Sequence, residues 1–220
     1  MANRSEQKEH TRRRLIDAAL QLSADHGFSA LSLREIARES GIAAAGFYRH
    51  FRDLDELGLV LVDEVALALR QLIREARARA KVQRGRTRAS VEAFMDFAYQ
   101  KPHLFRLLLG ERLGGSKSFR EAMRKEVDVF VNELSEELEK QARAAGQATE
   151  LIPFAAEAIV AIVFSVGAEV LDLPRHRHAG LADRVIKEVH LVLRGAGFPD
   201  GKRRAGLSAP GGAARSTARG

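Results

Sequence analysis

Apolar residues recur at three- and four-residue spacing along most of the chain, and no useful length alternates with period two. The pattern predicts an all-α protein. Leu15, Ala18, Ala19 and Leu22 mark a first helix that stops at Gly27. Ser32, with Glu35 three residues on, is a capping-box signature for a short second helix whose inward face is Leu33, Ile36 and Ala37. Ser40-Gly41-Ile42 reads as a tight turn, and a third short helix is expected from Ala43 to about His50. Asp53, again with a box partner at Glu56, begins a long fourth helix that reaches about Ala80.

After a basic linker, Lys81–Arg88, the spacing predicts helices over Ala89–Gln100, Pro102–Leu109, Phe119–Ala144, Pro153–Leu173 and Leu181–Arg194. A Gly-Gly-Ser break falls at 114–116. The first three helices are compact and basic, which separates two units that share the fourth helix. Residues 1–52 are expected to form an N-terminal three-helix unit, and 53–194 a helical body. Residues 195–220, rich in Gly, Ala, Ser, Pro and Arg, read as a disordered basic tail.

Charge sharpens this division. The net +7 is unevenly placed: 1–52 carry +3, 194–220 carry +5, and 53–193 carry −1. The tail either adds a weak, salt-sensitive attraction to DNA or simply solubilises the end. The absence of Cys excludes disulfides, thiolate metal sites and Cys nucleophiles. The segment MANRSEQKEHTRRR lacks the apolar core of a signal peptide. The most apolar run, Ala158–Ala168, has eleven residues, against the roughly 20 that a membrane span needs. A soluble, cytoplasmic protein without a membrane partner is expected.

Two short helices joined by a Gly-containing turn are the form in which a second helix enters the major groove of double-stranded DNA. Leu33, Ile36, Ile42, Phe47 and Phe51 supply the small core that fixes their angle. Tyr48, Arg49, His50 and Arg52 cluster at the end of the third helix, Arg34 and Arg38 stand beside them, and Arg12-Arg13-Arg14 precede the first helix as an arm. The candidate DNA contacts are Arg13, Ser32, Leu33, Arg34, Ala43, Ala44, Ala45, Gly46, Tyr48, Arg49, His50 and Arg52. Phosphate contacts would set the docking, and groove-facing residues the specificity.

The run LIDAALQLSADHGFSALSLREIARESGIAAAGFYRHF, with Gly27-Phe28, Ile36-Ala37, Gly41-Ile42 and Tyr48-Arg49-His50-Phe51, resembles the TetR family of repressors. FYRHFRDLDELGLVLVDE, FRLLLGER, SFREAMRKEV and IVFSVGAEVLDL resemble a narrower group, the FabR and DesT type regulators of unsaturated fatty-acid synthesis. The resemblance implies a helix-turn-helix DNA-binding domain over 1–52, a helical ligand-binding and dimerisation domain over 53–194, and a long-chain acyl-CoA as effector, with operators near lipid-synthesis genes. No cofactor is expected. A homodimer on a near-palindromic operator is expected because a lone helix-turn-helix reads too few base pairs. Two departures stand out. Where relatives carry polar side chains at the start of the third helix, this chain has Ala43, Ala44, Ala45 and Gly46, which touch thymine methyls but make no bidentate bonds to base edges. The usual Lys at the start of the fourth helix is Leu54, leaving Arg52 or free backbone N–H groups to meet that phosphate.

The body holds Phe94, Phe97, Phe105, Phe119, Phe130, Phe154 and Phe164. Either they fill an ordinary core, or they line an apolar tunnel; the resemblance favours the tunnel. The candidate ligand-binding set is Phe94, Phe97, Phe105, Leu108, Phe119, Met123, Phe154 and Phe164. Small residues at Ala161, Ser165 and Ala168, together with the stripe Leu181, Val185, Val189 and Leu193, suit either a four-helix interface between two copies or burial within one subunit, and the interface is the favoured expectation. Arg70, Arg74, Arg77 and Lys81 repeat along the fourth helix, with only Glu75 near them in sequence. They are either a solvated face or a seat for coenzyme A phosphates. His176 and His178 have no carboxylate or Cys beside them and read as a solvated pair, so no metal site is expected.

Enzymatic function is not expected. The chain has no GxSxG elbow, no phosphate-binding Gly-rich loop and no HExxH; GERLGGSKS has the residues of a phosphate loop at the wrong spacing. A purely architectural DNA-binding protein would not need the apolar body. The remaining alternative is a repressor of the same type that controls efflux or other genes and answers to a different apolar ligand.

Overall fold

The three-and-four spacing is realised as nine α-helices and two 3-10 turns among the described residues, and no strand occurs among them. The computed structural model describes residues 4–80, 83–109 and 117–198. In chain order the helices are α1 (Arg4–His26), α2 (Leu33–Glu39), α3 (Ala44–Phe47), α4 (Leu54–Arg79), α5 (Gln83–Gln100), α6 (Pro102–Leu109), α7 (Lys117–Ala144), α8 (Ile152–Asp172) and α9 (His178–Gly195). The Gly-Gly-Ser break and the basic tail beyond Phe198 lie outside the described residues.

Two boundaries differ from expectation by more than a turn. α1 starts at Arg4, so Arg12, Arg13 and Arg14 lie within a helix and form no free arm. α5 starts at Gln83, so most of the expected basic linker is helical. Both extensions are polar, and a helix held by intrinsic propensity leaves no apolar period to read.

The head is built around Leu15, Ile16, Ala19, Ile36, Phe47 and Phe51, all buried. Its turn is closed by Gly41 at φ 66°, which frees Ile42 N–H to reach Ala37 C=O at 2.9 Å. Arg14 Nη2 donates to the Ser40 carbonyl and ties the turn to α1. α4 then runs from head to body. Leu57, Leu61, Val65, Leu69 and Ile73 are buried along one face at helical spacing.

Head and body meet over Gly58. Phe28, from the turn after α1, lies 6.0 Å ring to ring from Phe119 at the start of α7. A Cβ on Gly58 would fall 2.7 Å from Phe28 Cε1 and still closer to Phe119 Cζ. Gly58→Ala therefore sets two effects against each other. The helix gains about 1 kcal/mol in propensity, while overpacking two rings costs about 1–3 kcal/mol. The melting temperature is expected to fall; a rise would show that the joint is not closed as described.

The arginine row on α4 has a partner row on α7, so it is not a simple solvated face. Arg70 pairs with Glu126 and, at 3.5 Å, with Glu133; Arg74 stands 3.9 Å from Glu133; Arg77 pairs with Glu137. Lys81 is outside the described residues. Beside Glu126 lies Asp63, whose pKa is raised by burial of its carboxyl and by the Glu126 charge, against the opposing pull of Lys125. A carboxyl whose pKa is raised on folding stabilises the fold in acid, and this is lost as pH rises through the folded value. Asp63→Asn is expected to melt higher than the parent at neutral pH, with the gap closing as pH falls into the ordinary carboxylate range. A gap that is constant with pH would count against this.

The body core centres on Phe94, which stands edge-on to Phe105 at 5.2 Å and 5.3 Å from Phe164. α8 is long and apolar enough to cross a membrane by length and composition. It packs instead against α5, α7 and α9. The expected interface stripe on α9 is corrected here: Leu181, Val185, Val189 and Leu193 are buried within their own subunit. Ala161, Ser165 and Ala168 on α8 are exposed.

Candidate nucleic-acid interface and ligand cavity

The capping box anticipated at α2 is present. Ser32 Oγ accepts from Glu35 N–H, and Glu35 Oε2 accepts from Ser32 N–H at 2.9 Å and from the Ser32 hydroxyl at 2.7 Å. Those bonds hold the Glu35 carboxyl below its ordinary pKa. Ser32, exposed, already gives its hydroxyl proton to Glu35. Leu33 is half-buried against the head core. Ala43, Ala44 and Ala45 are exposed, Gly46 is partly covered, and Phe47 is the buried anchor of α3. α3 spans only four residues, and the chain continues as turns through His50.

The arginines of the head divide by what already holds them. Arg12 lies over the Phe51 ring at 4.9 Å. Arg13 pairs with Asp17 at 2.9 Å and with Glu64 of α4 at 2.7 Å. Placing Arg13 on a DNA-reaching arm is therefore corrected: its guanidinium ties α1 to α4. Arg52 pairs with Glu56 at 3.1 Å while remaining largely exposed, a surface contact that solvent screens. Arg34, Arg38 and Arg49 are exposed and form no salt bridge among the described residues. Tyr48 is 64% exposed, its ring edge-on to Phe47. His50 is half-buried and has its pKa lowered by burial and by Lys8, Arg12 and Arg49, which keeps its imidazole neutral at neutral pH.

The start of α4 is less open to phosphate than its sequence suggests. Asp53 caps Glu56 N–H at 2.8 Å, and Glu56 Oε2 accepts the Arg52 N–H at 2.7 Å. With Asp55 also in the first turn, this end is already supplied with negative charge.

In the body, α4, α5, α7, α8 and α9 line a half-open cavity of about 110 Å³. Its walls are mainly apolar, with Ile73, Val91, Phe94, Phe130, Leu134 and Phe164 among them. Arg77, Arg86, Thr87, Ser90, Glu137 and Gln141 add polar groups. Of the eight expected ligand contacts, Phe94 and Phe164 line it. Phe97, Phe105, Leu108, Phe119 and Met123 are buried elsewhere in the core. Phe154 is 69% exposed and away from the cavity, because α8 turns its first-turn ring outward. Arg77 Nε and Gln141 Oε1 are buried without a hydrogen-bond partner among the described residues. Such groups cost about 1–3 kcal/mol each. No cluster of potential metal ligands occurs among the described residues. His178 Nε2 lies 2.9 Å from the Leu173 carbonyl, and its ring packs against Tyr99, so it is not a solvated residue.

Residues 15–59 match the model for bacterial regulatory proteins of the tetR family, and residues 83–192 match that for the C-terminal domain of tetracyclin repressor-like proteins. The chain belongs to the TetR family. It is a transcriptional regulator, not an enzyme, and the head described above is the TetR DNA-binding domain. Several solved structures share this TetR fold. A transcriptional regulator from Rhodococcus sp. is 20% identical with a TM-score of 0.68, over 86% of this chain and 99% of that one. A TetR-family regulator from Streptomyces coelicolor is 19% identical, TM-score 0.65, over 86% and 97%. The fatty acid degradation regulator FadR from Bacillus halodurans is 20% identical, TM-score 0.63, over 88% and 96%.

Proposed function

We propose that this TetR regulator represses fatty-acid synthesis or desaturation genes, binding operator DNA as a homodimer with affinity set by an acyl-CoA in the body. The observation that carries the reading is the path of α4. Its first turn abuts the Tyr48–Arg52 cluster, and its last turns supply Ile73 and Arg77 to the cavity wall. A ligand acts on DNA only through its different affinity for the two head arrangements, and α4 is the element that both sites touch. The lipid assignment is supported by the FabR- and DesT-like motifs. FadR of Bacillus halodurans provides a precedent in the same fold.

The dimer would use the outer face of α8, where Phe154, Ala158, Ala161, Ser165 and Ala168 form a stripe at helical spacing, with Leu191 of α9 beside it, 63% exposed. Two heads would then enter successive major grooves about 34 Å apart.

The size of the cavity favours a second reading. An engineered cavity of about 150 Å³ takes benzene, so 110 Å³ suits a compact apolar effector of an efflux-type repressor. Fluorescence anisotropy separates the two, using DNA from upstream of the protein's own gene and of lipid-synthesis genes, with saturated and unsaturated acyl-CoA added in turn. A shift in operator affinity that depends on the chain supports the lipid reading. Specific DNA binding that ignores every acyl-CoA moves the effector to compact apolar compounds.

A further inference from the structure

The polar groups of the cavity gather where three helix ends converge. Arg77 lies in the last turn of α4, Arg86 and Thr87 in the first turns of α5, and Glu137 and Gln141 in the last turns of α7. Arg77 pairs with Glu137, and Gln141 Nε2 donates to the other Glu137 oxygen at 3.2 Å. Three groups are left over. Arg77 Nε and Gln141 Oε1 are buried without a hydrogen-bond partner among the described residues, and Arg86, half-buried, forms no ion pair among them. Arg77 and Arg86 thus both line this part of the chamber, where Glu137 is the one carboxylate among the lining residues.

A purely apolar occupant would leave that excess positive charge and the unpartnered Nε as they are. An anion on an apolar chain would answer both, since guanidinium presents paired donors in a plane that matches a carboxylate or phosphate. The geometry points to an effector with one anionic group, held by Arg86 and by Arg77 in competition with Glu137. This rests on the reading of the cavity as the effector site and adds the chemistry of its head-group end. It also adds a switch. Arg77–Glu137 is the last rung of the ladder joining α4 to α7, so an anion that draws Arg77 away unlatches the end of α4 from α7 and links it to α5 through Arg86. The anion can be the carboxylate of a free fatty acid or a phosphate of its coenzyme A thioester.

The test is isothermal titration of the full chain with octanoate, 1-octanol and octanoyl-CoA, for the parent, Arg86→Gln, Arg86→Lys and Glu137→Gln, each checked for folding by thermal melt. Octanoate or octanoyl-CoA is expected to bind more tightly than octanol. Arg86→Gln should weaken that anion by about tenfold, as loss of a charge-assisted contact does, with octanol unmoved and Arg86→Lys recovering part of the loss. Glu137→Gln, which removes the competitor for Arg77, should tighten the anion and leave octanol unchanged. Preference for octanoate places the carboxylate at the arginines, and preference for octanoyl-CoA alone places a phosphate there; either supports the anionic site. Equal binding of all three, indifferent to residue 86, overturns it while leaving the cavity as an apolar effector site. No binding of any of the three removes both the site and the head-group assignment.

Discussion

Tyr48→Ala combined with Arg49→Ala is expected to abolish specific operator binding while the protein stays folded and keeps its oligomeric state. Both side chains are exposed at the end of α3, and Arg49 has no salt bridge among the described residues. The fold asks little of them: Tyr48 only leans its ring on Phe47, which is anchored independently by Phe51 at 5.6 Å. Surface changes of this kind usually move stability within about 0.5 kcal/mol. A lost base-edge contact costs about 1–3 kcal/mol, and a lost phosphate contact weakens all sequences and flattens the salt dependence. If two heads share one operator, as proposed, the losses double, which puts the double variant beyond about a hundredfold weaker binding. Anisotropy titrations at two salt concentrations, with sedimentation on the same samples, decide the matter. Unchanged operator affinity would remove this surface as the reading face, and loss of the oligomer would show that the segment serves assembly.

Phe94→Ala should be the most damaging single truncation in the body. The ring is 1% exposed and sits between Phe105 and Phe164, with Phe130 beyond at 5.3 Å from Phe164. Removing a buried Phe costs about 3–5 kcal/mol, through lost transfer energy and the void left behind. Against a total stability of about 5–15 kcal/mol for a natural domain, that is a large share. Urea denaturation measures it, and a loss below about 1 kcal/mol would mean the site collapses freely instead of being packed. Because Phe94 also lines the cavity, truncation enlarges the chamber. A ligand that fills the enlarged space would restore part of the loss by mass action. A compact aromatic compound should therefore raise the melting temperature of the variant more than that of the parent.

The sequence displayed the head clearly because its signals are local. Ser32 with Glu35, Gly41 and the buried Ile36–Phe47–Phe51 set all act within a few residues of each other, and each is found in its expected role. It displayed less where the deciding partner lies far along the chain. Nothing near Arg13 announces Glu64, 51 residues on, and nothing near Arg77 announces Glu137, 60 residues on. Those two distances turned a supposed arm and a supposed free basic face into interhelical ties. Periodicity also gives a helix an apolar face without saying who covers it. The α9 stripe was assigned to a second copy, yet α5 and α8 of the same chain take it. Phe154 shows the converse, an aromatic residue on an apolar helix that the chain leaves in solvent. Arg86, placed by sequence in a linker, became visible as a cavity group only once α5 was seen to begin at Gln83.

The bare start of the recognition segment has a consequence for how such a regulator changes over time. Ala43, Ala44 and Ala45 contribute nothing to the buried core, and their side chains point into open solvent. Replacing one of them by Gln, Arg, Ser or Asn alters helix propensity by no more than about 0.7 kcal/mol, and it adds the donors and acceptors that discriminate bases by about 1–3 kcal/mol. If this segment enters the groove as proposed, new target sequences are one codon change away, with almost no penalty to folding. Gene duplication would let a copy of this protein drift to a different promoter while the cavity in its body stayed intact. The same bareness makes the head a convenient scaffold for engineered switches, in which a chosen operator is written into three positions and the response to ligand is left as it was.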